Sequence, residues 1–587
     1  MTPVLSRVFA LATCLLATAA ARRSPNPEIF YNVDVDPVKQ EIGVTMRITN
    51  APRSVRLAMA VHPEYNDRFW RYVRDLRIVD PTESATLTQL AENQWRVDAK
   101  SGSATIAYRI QLPREDTTNR PSWHTGLRRD GGSINTTDTF LYLADFPRAP
   151  VDVRLNVPAQ IARTDAATLL DNPILYGGNL HRWRFEIDGV PHAITYWPLP
   201  GAIPFDTVAF VDAIEKLARE AVNVFGKPPY PRYDFLLEDA AYGALEHKNS
   251  VTIGMPSRDL AKDPRAYLFE LAHEFFHAWN LVRLYPEGRG VLSVDQPAHS
   301  TGLWLSEGVT MYYAEALTRR AGFPDDNLSR KDLLARQLEI YYERPGNTRI
   351  SPELASTRAV DTTGINGDYE PNYYVQGRLI GTALDLILRD STRGAKGLDD
   401  FMRAMYDRFA MKRGFTTNDV EHTANDVCSC NLHRFFDDHV RNARPLDFRP
   451  YLKTIGLSIA VDTVAGTDTA GTALPDMRIW AYPRASDRRM RVWIQDPSSA
   501  WARAGLHTGQ DLVAFNGIQV DSFPDWRRAF RSVRLDADVP VDIISNGRPQ
   551  RIVVHVPGFH RPVVTITEDR SVSRAQIERR KAWELGR

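Results

Sequence analysis

The stretch from which the rest of the chain can be read is Asp263-Pro264, followed by Leu268-Phe269-Glu270-Leu271-Ala272-His273-Glu274-Phe275-Phe276-His277-Ala278-Trp279-Asn280. Asp263 is a good N-cap acceptor and Pro264 a first-turn residue from which no amide donor is required, so a helix is expected to start here. Leu268, Ala272, Phe276 and Trp279 recur every three or four positions and give that helix a core-facing stripe. On such a helix His273 and His277 project from one face a single turn apart, so two imidazoles can meet one ion. Glu274 sits beside them, able to act as general base towards a metal-activated water without itself ligating. The same spacing arises by accident on some core helices. Accident would not also supply a cap and a third ligand.

Zinc in a catalytic site takes three protein ligands and leaves a fourth position open. Leu303-Trp304-Leu305-Ser306-Glu307-Gly308 opens a second helical pattern that runs to Arg320 and stops at Gly322-Phe323-Pro324. The interval after His277 is long enough for a loop and a return helix. Glu307 is then the carboxylate that completes a His₂Glu site, with one Zn²⁺ per chain expected.

Working outward, Phe210 to Phe225 reads as an amphipathic helix closed by Gly226, and Tyr233–Leu237 and Ser250–Met255 as strands. Helices dominate from Asp263 to about residue 445. Before residue 200 the period is two, as in Ile42, Val44, Met46 and Ile48, or Ala104, Ile106, Tyr108 and Ile110. Residues 22–203 are therefore expected to form an antiparallel β domain, with the Pro-Gly stretch from Pro198 to Pro204 as its boundary and a catalytic domain over 204–458. Short strands return over 475–558. The charged tail, 559–587, reads as weakly helical and solvated, without function.

With 43% hydrophobic and 25% charged residues in 587, the chain has the composition of a globular protein of several domains. A net charge of +1 gives no electrostatic reason to expect nucleic acid or an anionic membrane as partner. Arg7, the apolar run Val8–Ala17 and the small residues to Ala21 have the order of a signal peptide over 1–21, so a periplasmic or secreted protein is expected, with no membrane-spanning segment after cleavage. Cleavage would leave only Cys428 and Cys430. A single residue between them makes a mutual disulfide awkward, so structural or free thiols are expected.

His-Glu-Phe-Phe-His-x-Trp-Asn at 273–280, with Arg283 and Pro286 shortly after, resembles the glycyl aminopeptidase family of zinc metallopeptidases. More distantly it is similar to the alanyl aminopeptidase and leukotriene hydrolase group, whose zinc helix is followed by a Trp-Leu-x-Glu-Gly segment. The resemblance covers nearly the whole mature chain. It implies a multidomain α+β fold: an N-terminal antiparallel β domain, a mainly helical thermolysin-like zinc peptidase domain and a C-terminal PDZ β domain.

From the residues alone Glu246 is a surface carboxylate on a turn. The resemblance implies instead that Gly243-Ala244-Leu245-Glu246 lines the cleft. Glu246 would then bind the substrate's free α-amine, while the backbone of Gly243 and Ala244 pairs with the peptide as an added strand. It also implies that Tyr374, in Tyr373-Tyr374-Val375-Gln376-Gly377, stabilises the oxyanion. Gln376 departs from the lysine usual there, and Tyr373 is the alternative. Asp496 to Ala500 and Gly509 to Gly517 resemble a protease-associated PDZ domain, either taking an extended peptide in its groove or buttressing the catalytic domain. The function implied is a zinc aminopeptidase that releases small N-terminal residues (Gly or Ala) from peptides or proteins with a free N-terminus. A zinc endopeptidase, or a non-catalytic exported binding protein using its PDZ domain, are the alternatives.

Overall fold

Alternating side chains build the first sheet. The strands Glu28–Asp36 and Glu41–Thr49 form an antiparallel hairpin. Tyr31 and Val33 from one strand and Ile42 and Met46 from the other are buried on a shared face. The computed structural model describes residues 26–587 apart from 62–67, 80–83, 113–118, 160–162, 290–298, 325–327, 363–365 and 484–488, so the expected signal segment at 1–21 lies outside the described residues. Six strands make up this sheet, a four-stranded and a three-stranded sheet accompany it, and one hydrophobic cluster joins them. Not all of it is antiparallel: Glu28–Asp36 pairs in parallel with Pro150–Leu155.

The Pro-Gly stretch 198–204 is not a domain boundary. The hairpin His181–Ile187 and Val190–Trp197 precedes it, yet Val190–Trp197 pairs in parallel with Tyr233–Glu238, and that strand with Ser250–Gly254. The second sheet therefore begins at residue 181. Period two identified the hairpin as strands but not the sheet it joins. The crossover is the helix Thr207–Phe225, started by Asp206, whose carboxylate accepts from the Val208 and Ala209 amides, and ended by Gly226 at φ 82°. Ala244–Glu246 adds antiparallel to Ser250–Gly254 and forms the edge of this five-stranded sheet.

Helices Leu268–Phe276, Thr310–Arg320, Tyr373–Ser391, Leu398–Phe409 and Thr417–Cys428 pack behind the sheet in one large core. The last of these ends with Ser429 in the left-handed region (φ 54°), which turns Cys430 back so that Cys428 and Cys430 are disulfide-bonded with Cα atoms 5.1 Å apart. The expectation of structural or free thiols in place of a mutual disulfide fails because that one residue reverses the chain.

Strand Leu457–Ala465 pairs along all its nine residues with His560–Glu568. Between them a separate sheet, with its own hydrophobic cluster, occupies the stretch from Pro475 to Gly558, whose backbones bridge at its neck.

Residues 559–587 are not a solvated tail. After strand His560–Glu568 the chain forms helix Arg574–Glu584 and docks on the helical core, with Trp583 buried. The Arg330 guanidinium lies between the rings of Tyr312 (4.8 Å) and Trp583 (5.0 Å) and donates to the Trp583 carbonyl, while Arg320 donates to the carbonyl of Gly586. The segment is tied to the helical domain by these contacts and by the Arg579–Asp390 ion pair, while Arg574 and Lys581 stay exposed. Trp583→Ala should therefore cost about 3–5 kcal/mol, as for other buried aromatics. Urea unfolding would read this out, and an unmoved midpoint would show the docking to be dispensable.

Candidate active site

The motif helix begins at Leu268, later than Asp263 suggests, because the Asp263 carboxylate caps only a turn through the Arg265 amide at 2.9 Å. His273 and His277 are buried on it. Their Nε2 atoms lie 3.0 Å apart, and each is 3.2 Å from Glu307 Oε2. Ligand atoms about 2.1 Å from a tetrahedral zinc stand about 3.4 Å from one another, so the three side chains converge with nearly the spacing such an ion requires. Among the described residues this is the only such grouping of three metal-ligating side chains.

Two imidazole lone pairs and a carboxylate cannot lie this close without a proton or a cation among them. Glu307 Oε1 is moreover buried with no hydrogen-bond partner. Burial pushes the Glu307 carboxyl up, but His277 and the hydrogen bonds from both imidazoles hold it well below the usual carboxylate range. It stands as a fixed anion, and the donor set fits zinc.

Glu307 reaches this place through an irregular helix. Trp304–Val309 is wound as a π-helix before the regular helix Thr310–Arg320 begins. A segment of this kind is common at functional sites because its extra residue re-aims side chains. Asn280 fastens the segment to the motif helix: its Nδ2 donates to the carbonyls of Leu305 and Ser306 (both 3.1 Å) and to Thr310 Oγ1 (3.0 Å). The Asn280 carbonyl lies 2.8 Å from His277 Nδ1, which fixes the ring orientation and leaves Nε2 to the ion. To present that carbonyl the chain turns through Leu281 at φ 114°, a conformation costly for leucine. Asn280 carries this orienting role, and the sequence reading gave it none. The signal was there in the asparagine three residues after His277.

Gly308 and Gly377 have the closest backbone approach of the site. A Cβ on Gly308 would lie 2.4 Å from Gly377 Cα, and a Cβ on Gly377 only 1.8 Å from the Trp304 carbonyl oxygen. Both glycines are therefore required, and their contact brings the start of helix Tyr373–Ser391 beside Glu307. The Tyr374 ring, 6.1 Å from that of His273, stacks on Tyr373 at 4.7 Å. The Tyr374 ring thus lies against one of the two converging imidazoles. Gln376 is buried and donates to the carbonyls of Asn347 (3.0 Å) and Ile350 (2.8 Å), so its amide serves packing.

Glu274 is half-buried; burial pushes its carboxyl well above the usual range, opposed by His277 and reinforced by Glu246 and Glu307. Glu246 lies on the strand Ala244–Glu246, which packs against the motif helix. It belongs to the edge strand, in register with Val251, and its Oε1 is 3.4 Å from Arg289 Nη2. Gly243, just before that strand, has φ 70°, and its carbonyl accepts from the Gly254 amide at 2.9 Å. The sequence singled out neither Arg289 nor Trp123, whose ring lies against Gly243.

A His-His-Glu donor set with a flanking glutamate, on helices backed by a five-stranded sheet, is the equipment of a metal-dependent hydrolase. Residues 267–380 match the family of M61 glycyl aminopeptidases, and residues 30–173 match the M61 peptidase N-terminal domain. The family resemblance seen in the motifs is thereby shown on both segments, which mark a peptidase, and the His273–His277–Glu307 donor set is one that could hold a zinc ion. Among solved structures, an aminopeptidase N family protein from Idiomarina loihiensis has a similar fold. The two are 19% identical with a TM-score of 0.72, over 94% of this chain and 99% of that one. An M1 zinc metallopeptidase of Deinococcus radiodurans is similar over 72% of this chain and 94% of its own, at 15% identity and a TM-score of 0.46. No curated protein matches this sequence.

Proposed function

We propose that this chain is a zinc aminopeptidase that releases small N-terminal residues, glycine or alanine, from peptides with a free N-terminus. The observation that carries the reading is a carboxylate, Glu246, on the edge strand of the five-stranded sheet, packed against the helix that bears His273 and His277. His273, His277 and Glu307 would hold the ion, which when bound would supply Lewis-acid polarisation of the scissile carbonyl and a lowered pKa for water. Glu274 takes the proton of the attacking water and returns it to the leaving amine. The Tyr374 hydroxyl donates to the oxygen of the tetrahedral intermediate. Glu246 pairs with the α-ammonium and sets the register, while the Gly243–Ala244 backbone pairs with the peptide as an added strand.

One observation favours an endopeptidase instead: Arg289 already faces Glu246, and an incoming amine must compete with it. A panel of free and N-acetylated peptides, with and without chelator, separates the two. Glu246→Ala should raise KM roughly 10- to 100-fold for free-amine peptides, the usual loss for a charged hydrogen bond. Equal losses on acetylated peptides would refute the amine-binding role.

The sheet between Pro475 and Gly558 fits a PDZ-like reading. Its edge strand Ile479–Pro483 lies beside helix Phe523–Arg531, the layout into which an extended peptide adds. Trp480 occupies that interval, packed on Phe523, Trp526 and Phe530 at 5.3–5.8 Å, which favours the buttressing role over peptide capture. Export to the periplasm or beyond is supported by the Cys428–Cys430 disulfide, a bond that persists in oxidising compartments. No helix among the described residues is long and apolar enough to cross a membrane.

A further inference from the structure

Among the described residues, the edge strand Ala244–Glu246 is open in one direction only. Beyond Glu246 the chain turns back into Ser250–Gly254. That turn is fastened from outside: Arg283 Nη1 donates to the carbonyls of Lys248 (2.9 Å) and Ala278 (2.7 Å), and Nη2 to Asn249 Oδ1 (3.0 Å). His247 is buried beneath it. A peptide whose amine is held at Glu246 can therefore extend along the edge only towards Gly243, antiparallel to the strand.

At that end the N-terminal domain reaches over. Arg120–Pro121 pairs in parallel with Ala241–Tyr242, the Ser122 amide donates to the Tyr242 carbonyl at 2.9 Å, and Trp123 follows. The Trp123 ring covers Gly243 so closely that a Cβ there would lie 2.7 Å from Trp123 Cζ3. Gly243 is thus fixed as glycine twice, by its positive φ and by the ring. The segment is rigidly held by buried polar contacts. Arg120 pairs with Glu238, Asn135 Nδ2 donates to the Trp123 carbonyl, and Thr125 donates to Asp138 through its amide (3.0 Å) and its hydroxyl (2.7 Å). A half-buried indole on so fixed a support has the properties of a binding surface.

From Glu246 to Gly243 the strand advances about 10 Å at about 3.3 Å per residue, the length of about three substrate residues. We propose that Trp123 forms the far end of the substrate cleft and packs against the third residue of a bound peptide, so that the N-terminal domain favours substrates of three residues or more. This rests on the reading of Glu246 as the amine site.

The test compares an N-terminal alanyl nitroanilide, a dipeptide, a tripeptide and a tetrapeptide that all begin with alanine, on the zinc-loaded enzyme and on Trp123→Ala and Trp123→Phe. Trp123→Ala should lower kcat/KM roughly tenfold for the tripeptide and tetrapeptide, through KM, and leave the two shorter substrates within about twofold. Trp123→Phe, which keeps a ring, should restore most of the difference. Equal loss on all four substrates, or no loss on any, overturns the proposal. Failure of the wild-type enzyme to prefer free-amine over acetylated substrates would instead overturn the amine-site reading, so the two failures are distinguishable.

Discussion

Glu274→Gln will reduce turnover of every peptide substrate by roughly a hundredfold to ten-thousandfold while zinc stays bound at one per chain. The glutamate is flanked by the ligands His273 and His277 yet lies outside the triangle of 3.0–3.2 Å contacts that they form with Glu307. Its amide isostere leaves that triangle intact. What glutamine cannot do is accept a proton from the attacking water and deliver it to the leaving amine, and removing a positioned acid–base group has this magnitude of effect. Metal analysis together with steady-state kinetics checks both halves. A variant that loses its zinc along with its activity would place Glu274 among the ligands and sink the assignment.

Gly308→Ala or Gly377→Ala will cost both stability and metal. Each Cβ would enter space already filled by backbone, at 2.4 Å from Gly377 Cα in one case and 1.8 Å from the Trp304 carbonyl in the other. No rotamer change can relieve such a contact, so the two helices must separate. The cost is at the upper end of the ~1–3 kcal/mol usual for overpacking. Separation would carry Glu307 away from the imidazoles and Tyr374 away from His273 together. Thermal unfolding with and without added zinc reads the effect: the stabilisation that zinc gives the wild-type protein should shrink in both variants. Undiminished stabilisation by zinc would show that the contact does not hold the site.

The donor set was legible because it needs little beyond helical periodicity. His273 and His277 share a face at any i, i+4 spacing, and Glu307 follows at the start of the next helical pattern. Helix Thr207–Phe225 was legible for the same local reason, its stop written in Gly226. What the sequence hid depends on partners far away. Alternation marked 181–197 as strands, but only pairing with Tyr233–Glu238 reveals which sheet they complete. Residues 574–584 read as solvated because their charges outnumber their two large apolar residues, Ile577 and the buried Trp583, whose partner Arg330 is 253 residues away. Tyr374 and Glu246 needed the family resemblance, since neither an aromatic pair nor a turn carboxylate declares its neighbours. Trp123 gave no signal at all, because its meaning lies in the missing Cβ of Gly243.

The helix bearing Trp583 has a consequence for how the protein comes into being. A ribosome adding about 5–20 residues each second needs roughly ten to fifty seconds to pass from Arg330 to Trp583. Through that interval the helical core presents to its surroundings the apolar face that Trp583 later covers, and the whole Pro475–Gly558 sheet is made first. The helical core is thus closed by an element made long after it, and nascent chains cut short before residue 574 will present a greasy seam to chaperones and proteases.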